Sequence, residues 1–172
     1  MPDEKKPPRM TLTNLATGRG FSAQFNPTEI EETIAANYNE LKVLGMSHAP
    51  LQYTGTSNWE ASFSLGFDAL ATYAGADGER ATVWGARRFL MSLFYSSIEG
   101  QGVSGGAPPD VRLFWPTLLA MTVKLKTGKF KHSRFNSRLQ SCLFVADVTV
   151  VEVRDVRLYS EDVLDSGTMR SR

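Results

Sequence analysis

The stretch Asn58 to Leu70, NWEASFSLGFDAL, limits the possible folds more than any other part of the chain. Trp59, Ala61, Phe63, Leu65 and Phe67 alternate with Glu60, Ser62, Ser64, Gly66 and Asp68. A period of two marks a strand with one face in a core and the other in water. Burying two Phe, a Leu and a Trp contributes roughly 2 kcal/mol or more each. Such a strand anchors a sheet, so the chain is expected to be β-rich.

Upstream, Met10 to Leu15 and Phe21 to Phe25 flank Thr17-Gly18-Arg19-Gly20, which reads as a hairpin with a glycine turn. Phe25-Asn26-Pro27 ends the second strand, because Pro27 removes a ladder donor and restricts Asn26. Ile30 to Ala36 reads as a strand or a short helical turn. Asn37 to Pro50, which holds His48, reads as a long polar loop. Leu51 to Thr54 is expected to be a short strand, and Gly55 to Ser57 the turn into the central one.

Beyond Leu70 the period changes. Val83, Ala86, Leu90, Leu93 and Phe94 lie three and four apart, the apolar stripe of a helix over about Glu79 to Ile98. Asp77 can cap its start and Gly100 its end. Gly85 inside it costs about 1 kcal/mol relative to Ala, so packing must hold the helix. Glu99 to Pro109, with four glycines and two prolines, reads as a flexible loop.

A second β block follows. Val111 to Trp115 is a strand. Leu118 to Lys126 and Phe130 to Phe135 are predicted to pair through a turn at Thr127-Gly128-Lys129. Leu139 to Val153 is the longest β-prone run. The 172 residues suit one domain over residues 10–160, with loose tails at 1–9 and 161–172. The expected class is mainly β with one helix, an antiparallel α+β barrel or sandwich.

No HExxH, CxxC, GxSxG or P-loop is present. His48, His132 and the lone Cys142 are scattered, so no zinc site, catalytic group or cofactor site is read from them. An enzyme is therefore not expected. The opening MPDEKKPPRM lacks the apolar run of a signal peptide, so cytoplasmic synthesis is expected. No run is long enough to cross a bilayer as a helix.

One charged feature remains. Lys124, Lys126, Lys129, Lys131, Arg134 and Arg138 fall within fifteen residues, and the first two alternate with Val123 and Leu125 on a wet face. The cluster reads as a solvated edge that discourages aggregation, as a subunit contact, or as a nucleic-acid surface on which Phe130 and Phe135 stack bases. The acidic residues Asp147, Glu152, Asp155, Glu161, Asp162 and Asp165 follow it. A basic surface of one copy could thus meet an acidic surface of the next.

Several short motifs fall in one order. Phe25-Asn26-Pro27-Thr28-Glu29-Ile30 precedes Pro50-Leu51-Gln52-Tyr53 and Leu65-Gly66-Phe67-Asp68. Pro108-Pro109, Val111 to Trp115, Phe135-Asn136 and a valine-rich strand reaching Val151-Glu152-Val153 come next. Over about Met10 to Val153 this series resembles the tube-family proteins of contractile injection systems, which are similar to the LysM-bearing hub and baseplate adaptors of phage-tail-like particles. The motif positions that carry it are Phe25, Asn26, Pro27, Leu51, Tyr53, Phe67, Asp68, Pro109 and Trp115.

The resemblance implies a structural subunit at the baseplate end of the inner tube, joining the tube to the spike hub without turnover or cofactor. It implies a ring, six-fold, with inner-tube, spike-hub and baseplate proteins as partners and no small-molecule substrate or membrane insertion. The subunit would belong to a phage-tail-like particle, which can be released from the cell. Two departures stand out. Many relatives continue into a LysM domain, whereas this sequence stops soon after its last strand. The turn that often reads Gly-Pro-Arg-Ala in the family reads Asn136-Ser137-Arg138-Leu139 here. The alternative function is a nucleic-acid-binding β-barrel using Lys124 to Arg138.

Overall fold

The computed structural model describes residues 8–69, 83–96, 106–154 and 169–170. In chain order these hold β1 (Thr11–Asn14), β2 (Gly20–Ser22), β3 (Ile30–Thr33), β4 (Ala36–Glu40), β5 (Leu51–Thr56), β6 (Glu60–Asp68), α1 (Val83–Ser92), β7 (Val111–Trp115), β8 (Leu119–Phe135), β9 (Ser141–Glu152) and β10 (Met169–Arg170). Several expectations lie outside the described residues: most of the N-terminal tail, the helix start at 79–82 with its Asp77 cap, most of the glycine loop and most of the C-terminal tail. The helix end is corrected: α1 stops at Ser92, short of the expected Ile98, and a turn follows it.

The central strand forms where alternation places it. On β6, Ala61, Phe63, Leu65 and Phe67 are buried. Opposite them on β9 stand Val150, Val148, Ala146 and Phe144, all buried. Phe67 and Phe144 stack with ring centroids 5.7 Å apart. The valine-rich run therefore completes one apolar surface with β6 across an antiparallel pair.

The sheet order is β2-β1-β7-β8-β9-β6-β3, antiparallel throughout except that β10 lies parallel beside β8. The sheet folds over on itself. Phe21 on β2 sits 5.3 Å from Phe67 on β6, and Trp115 on β7 meets Phe63 edge-on at 6.4 Å. Two facing layers enclose the core, as in a sandwich. The changeover falls on β8, where Val123 pairs with both Val111 and Glu152. The barrel form is not realised: β2 and β3 are the two ends of the strand order, and no ladder joins them. Side chains cross instead, as when Gln24 both donates to the Asp68 carbonyl and accepts from its N–H at 2.9 Å.

α1 packs on β6 and β9 through Val83, Ala86 and Leu90, with Leu93 buried just beyond its end. The turn after Gly18, whose φ is 70°, returns β2 onto β1 as expected.

Two further expectations are corrected. Thr127-Gly128-Lys129 is not a turn: β8 runs unbroken for 17 residues, and the chain reverses at Asn136 to Gln140. β9 supplies a partner along most of that length, and a bulge between Leu125 and Thr127 absorbs the misfit. Gly128 serves a close approach rather than a reversal. The segment from Asn37 is not simply a loop either. β4 pairs with β5 in a separate two-stranded sheet, with Ala35 and Ser57 linked at its base. Almost every residue of this arm is exposed, so no buried face imposes a period on the sequence.

Candidate functional site

The six basic residues do not act as one patch. Lys124 reaches Asp110 at 2.8 Å and the Pro108 carbonyl at 3.1 Å. Lys126 pairs with Glu60 at 2.5 Å. Lys129 stands opposite Asp147 in the ladder and Lys131 opposite Val145, both exposed on the sheet face away from the core. Arg134 lies just before the β8–β9 turn and Arg138 within it, where Asn136 Oδ1 accepts from the N–H groups of Arg138 and Gln140, each at 2.9 Å. Leu139 in this turn has φ 57° and is 83% exposed.

The motif residues divide between scaffold and surface. Phe25 lies over Gly66, with its Cδ2 3.9 Å from where a Cβ there would stand. Asn26 accepts from the Met10 N–H and donates to the Pro8 carbonyl, both at 2.9 Å. Pro27, Phe67 and Pro109 are buried, and Trp115 is half-buried. Asp68 is gripped through its backbone by Gln24, a contact between residues 44 apart. Leu51 and Tyr53 instead lie exposed on the arm, where Tyr53 packs on Tyr38 with centroids 5.7 Å apart.

The acidic stretch is also regrouped. Glu152 is not a surface charge: it is 2% exposed and pairs with Arg154 at 2.5 Å. Asp147 binds Ser64 on the outer face, and Ser62 and Thr149 bond at 3.0 Å beside them. Asp155, Glu161, Asp162 and Asp165 lie outside the described residues. Exposed with Asp147 near this face are Glu29 and Glu31, just before and on β3.

One half of the fold, β8-β9-β6-β3, is thus a four-stranded sheet with a polar outer face. Its two outer strands carry opposite charges. Among the described residues no strand flanks β3 on its far side, and β7 covers β8 only from Leu119 to Val123. Among the described residues the remainder of β8 to Phe135 therefore has one edge without a ladder partner. Beside it lies a groove of ≈ 360 Å³ lined by Met91, Phe94, Tyr95, Lys126, Thr127, Gly128 and Phe130. The arm projects from the Glu60 end of this sheet, and the β8–β9 turn from the opposite end. Leu41, Val43, Leu44 and Met46 at the arm's tip are all exposed, Leu44 completely.

The histidines and aromatics weighed from the sequence lie apart. His48 is on the arm, while His132 packs on Phe144 with centroids 4.9 Å apart. Among the described residues no three His, Cys, Asp or Glu side chains are grouped to hold a metal ion. Phe130 faces inward, stacked on Phe144 at 5.8 Å, so of the two aromatics considered for base stacking only Phe135 is exposed. No described helix is long and apolar enough to cross a membrane.

Strand edges left unpaired among the described residues, a projecting apolar arm and an apolar groove are features of a chain that meets other chains. Comparison with curated proteins gives no match. A family model does match, that of the contractile injection system tube protein, and it spans residues 6–141. The chain therefore belongs to the contractile injection system tube protein family.

Proposed function

We propose that this chain is a ring-forming structural subunit at the baseplate end of the inner tube, joining the tube to the spike hub. The observation that carries the ring is the pair of free edges on one four-stranded half. β3 and the residue before it offer Glu31 and Glu29, and β8 offers Lys129 and Lys131 on the same outer face. A β3 edge laid on the β8 edge of the next copy continues the antiparallel ladder and brings carboxylates toward lysines. Such a contact uses two different surfaces, so it is heterologous and closes only as a ring. The six-fold count, the baseplate position and the inner-tube, spike-hub and baseplate partners rest on the family resemblance. The arm supplies a second contact, along the particle axis.

Lys124 and Lys126 have partners within the chain, so Lys131 is the cleaner probe. Lys131→Glu should lower the yield of rings seen by electron microscopy, and adding Glu31→Lys should restore it. Rings from Lys131→Glu at the parental yield would overturn the edge contact. Retention of a generic oligonucleotide at low salt, lost steeply as salt rises, would favour the nucleic-acid reading instead.

A further inference from the structure

We propose that the groove beside Gly128 is the receptor for Ile34 of the neighbouring copy, an inference that rests on the ring contact above. The groove is a product of two features. The end of α1 brings Met91, Phe94 and Tyr95 over β8, and Gly128, with no side chain, lets the Phe94 ring settle against the strand and form one wall. Its walls are largely apolar, and it opens beside the stretch of β8 that β7 leaves uncovered.

Ile34 suits this receptor on three grounds. It is an aliphatic side chain left 63% exposed, directly after β3. Ile30 opposes the buried Phe63 and packs on its own core, so the alternation of β3 carries Ile30, Glu32 and Ile34 to the core side and Glu31 to the outer side. When β3 adds to the β8 edge of the next copy, that side faces the groove while Glu31 stays among the lysines. Ile30 is already committed within its own chain and Glu32 is charged, which leaves Ile34 as the anchor. Self-association of a tube protein supplies the occupant in every copy at once.

The contact can be tested in rings of full-length protein with Cys142→Ser as background. Ile34→Cys combined with Tyr95→Cys should give a ladder of covalent multimers with a short thiol-bridging reagent, and neither single variant should. Ile34→Asp should raise the concentration needed for ring assembly by about tenfold or more, with an unchanged monomer melt. Rings that form normally from Ile34→Asp, or intact double-cysteine rings that give no ladder, would overturn this contact while leaving the proposed function standing. Failure of the Cys142→Ser background to form rings, when the parent does so, would be a defect of the background, and Ile34→Asp in the parent would then decide. Failure of the parent to form rings under any condition would overturn both proposals.

Discussion

The Phe94 ring fills the space that a side chain at position 128 would need. Its Cζ lies 2.8 Å from where a Cβ on Gly128 would stand, and the Cζ of Phe130 lies 3.2 Å from the same point. Phe94 in turn meets Phe130 edge-on at 6.4 Å, and Phe130 stacks on Phe144. The glycine thus lets α1 settle onto β8. Gly128→Ala should cost about 1–3 kcal/mol, because the ring must move. In a Phe94→Leu background, which removes the far edge of the ring, most of that cost should vanish. Additive losses in denaturant melts of the double-mutant cycle would show that the two residues are not coupled.

Phe63 is 4% exposed and touches Trp115 across the two layers. Phe63→Ala should cost about 3–5 kcal/mol, a fall in melting temperature of roughly 6–20 °C for a chain of this size. A melt that matches the parent would contradict the burial of this face.

Glu152 and Arg154 should respond unequally. The carboxylate is 1% exposed and the guanidinium side chain 27%. Arg154→Met leaves a buried charge without its partner and should cost about 3 kcal/mol or more. Glu152→Leu leaves a cation that still reaches water, so its cost should be smaller. The double variant should recover much of the loss. Equal losses in urea melts for the two single variants would refute this asymmetry.

The arm should matter to assembly and little to folding. Replacing Leu41, Val43, Leu44 and Met46 by Ser removes exposed apolar side chains that touch no core. Each change should alter stability by less than about 0.5 kcal/mol. Electron micrographs should then show rings that do not stack into tubes. Stacked tubes of normal length would show that the arm is not the axial contact.

What the sequence made legible was local. The alternation from Trp59 to Phe67 and the stripe at Val83, Ala86 and Leu90 each write one buried face within a single element. The reversal at Gly18 is legible for the same reason. Thr127-Gly128-Lys129 misled because a glycine looks the same whether it bends the chain or makes room for a ring. β4 escaped notice because a strand wet on both faces has no hydrophobic period, and its partner β5 was legible only as a short strand from Leu51. The Gln24 clasp on Asp68 and the burial of Glu152 are long-range pairings that neither residue announces. The basic cluster was visible, but which lysines are spoken for depends on Asp110 and Glu60, which sequence distance hides. The motif series carried the family where the residues alone carried only a fold.

β8 belongs to both layers: its first part is laddered to β7 and most of its length to β9. Force along this strand loads both sets of hydrogen bonds in shear, so they must slip together rather than open one by one like a zipper. Pulling on one layer therefore recruits the other. A subunit stressed along its strands would transmit load as a stiff strut before its layers could separate.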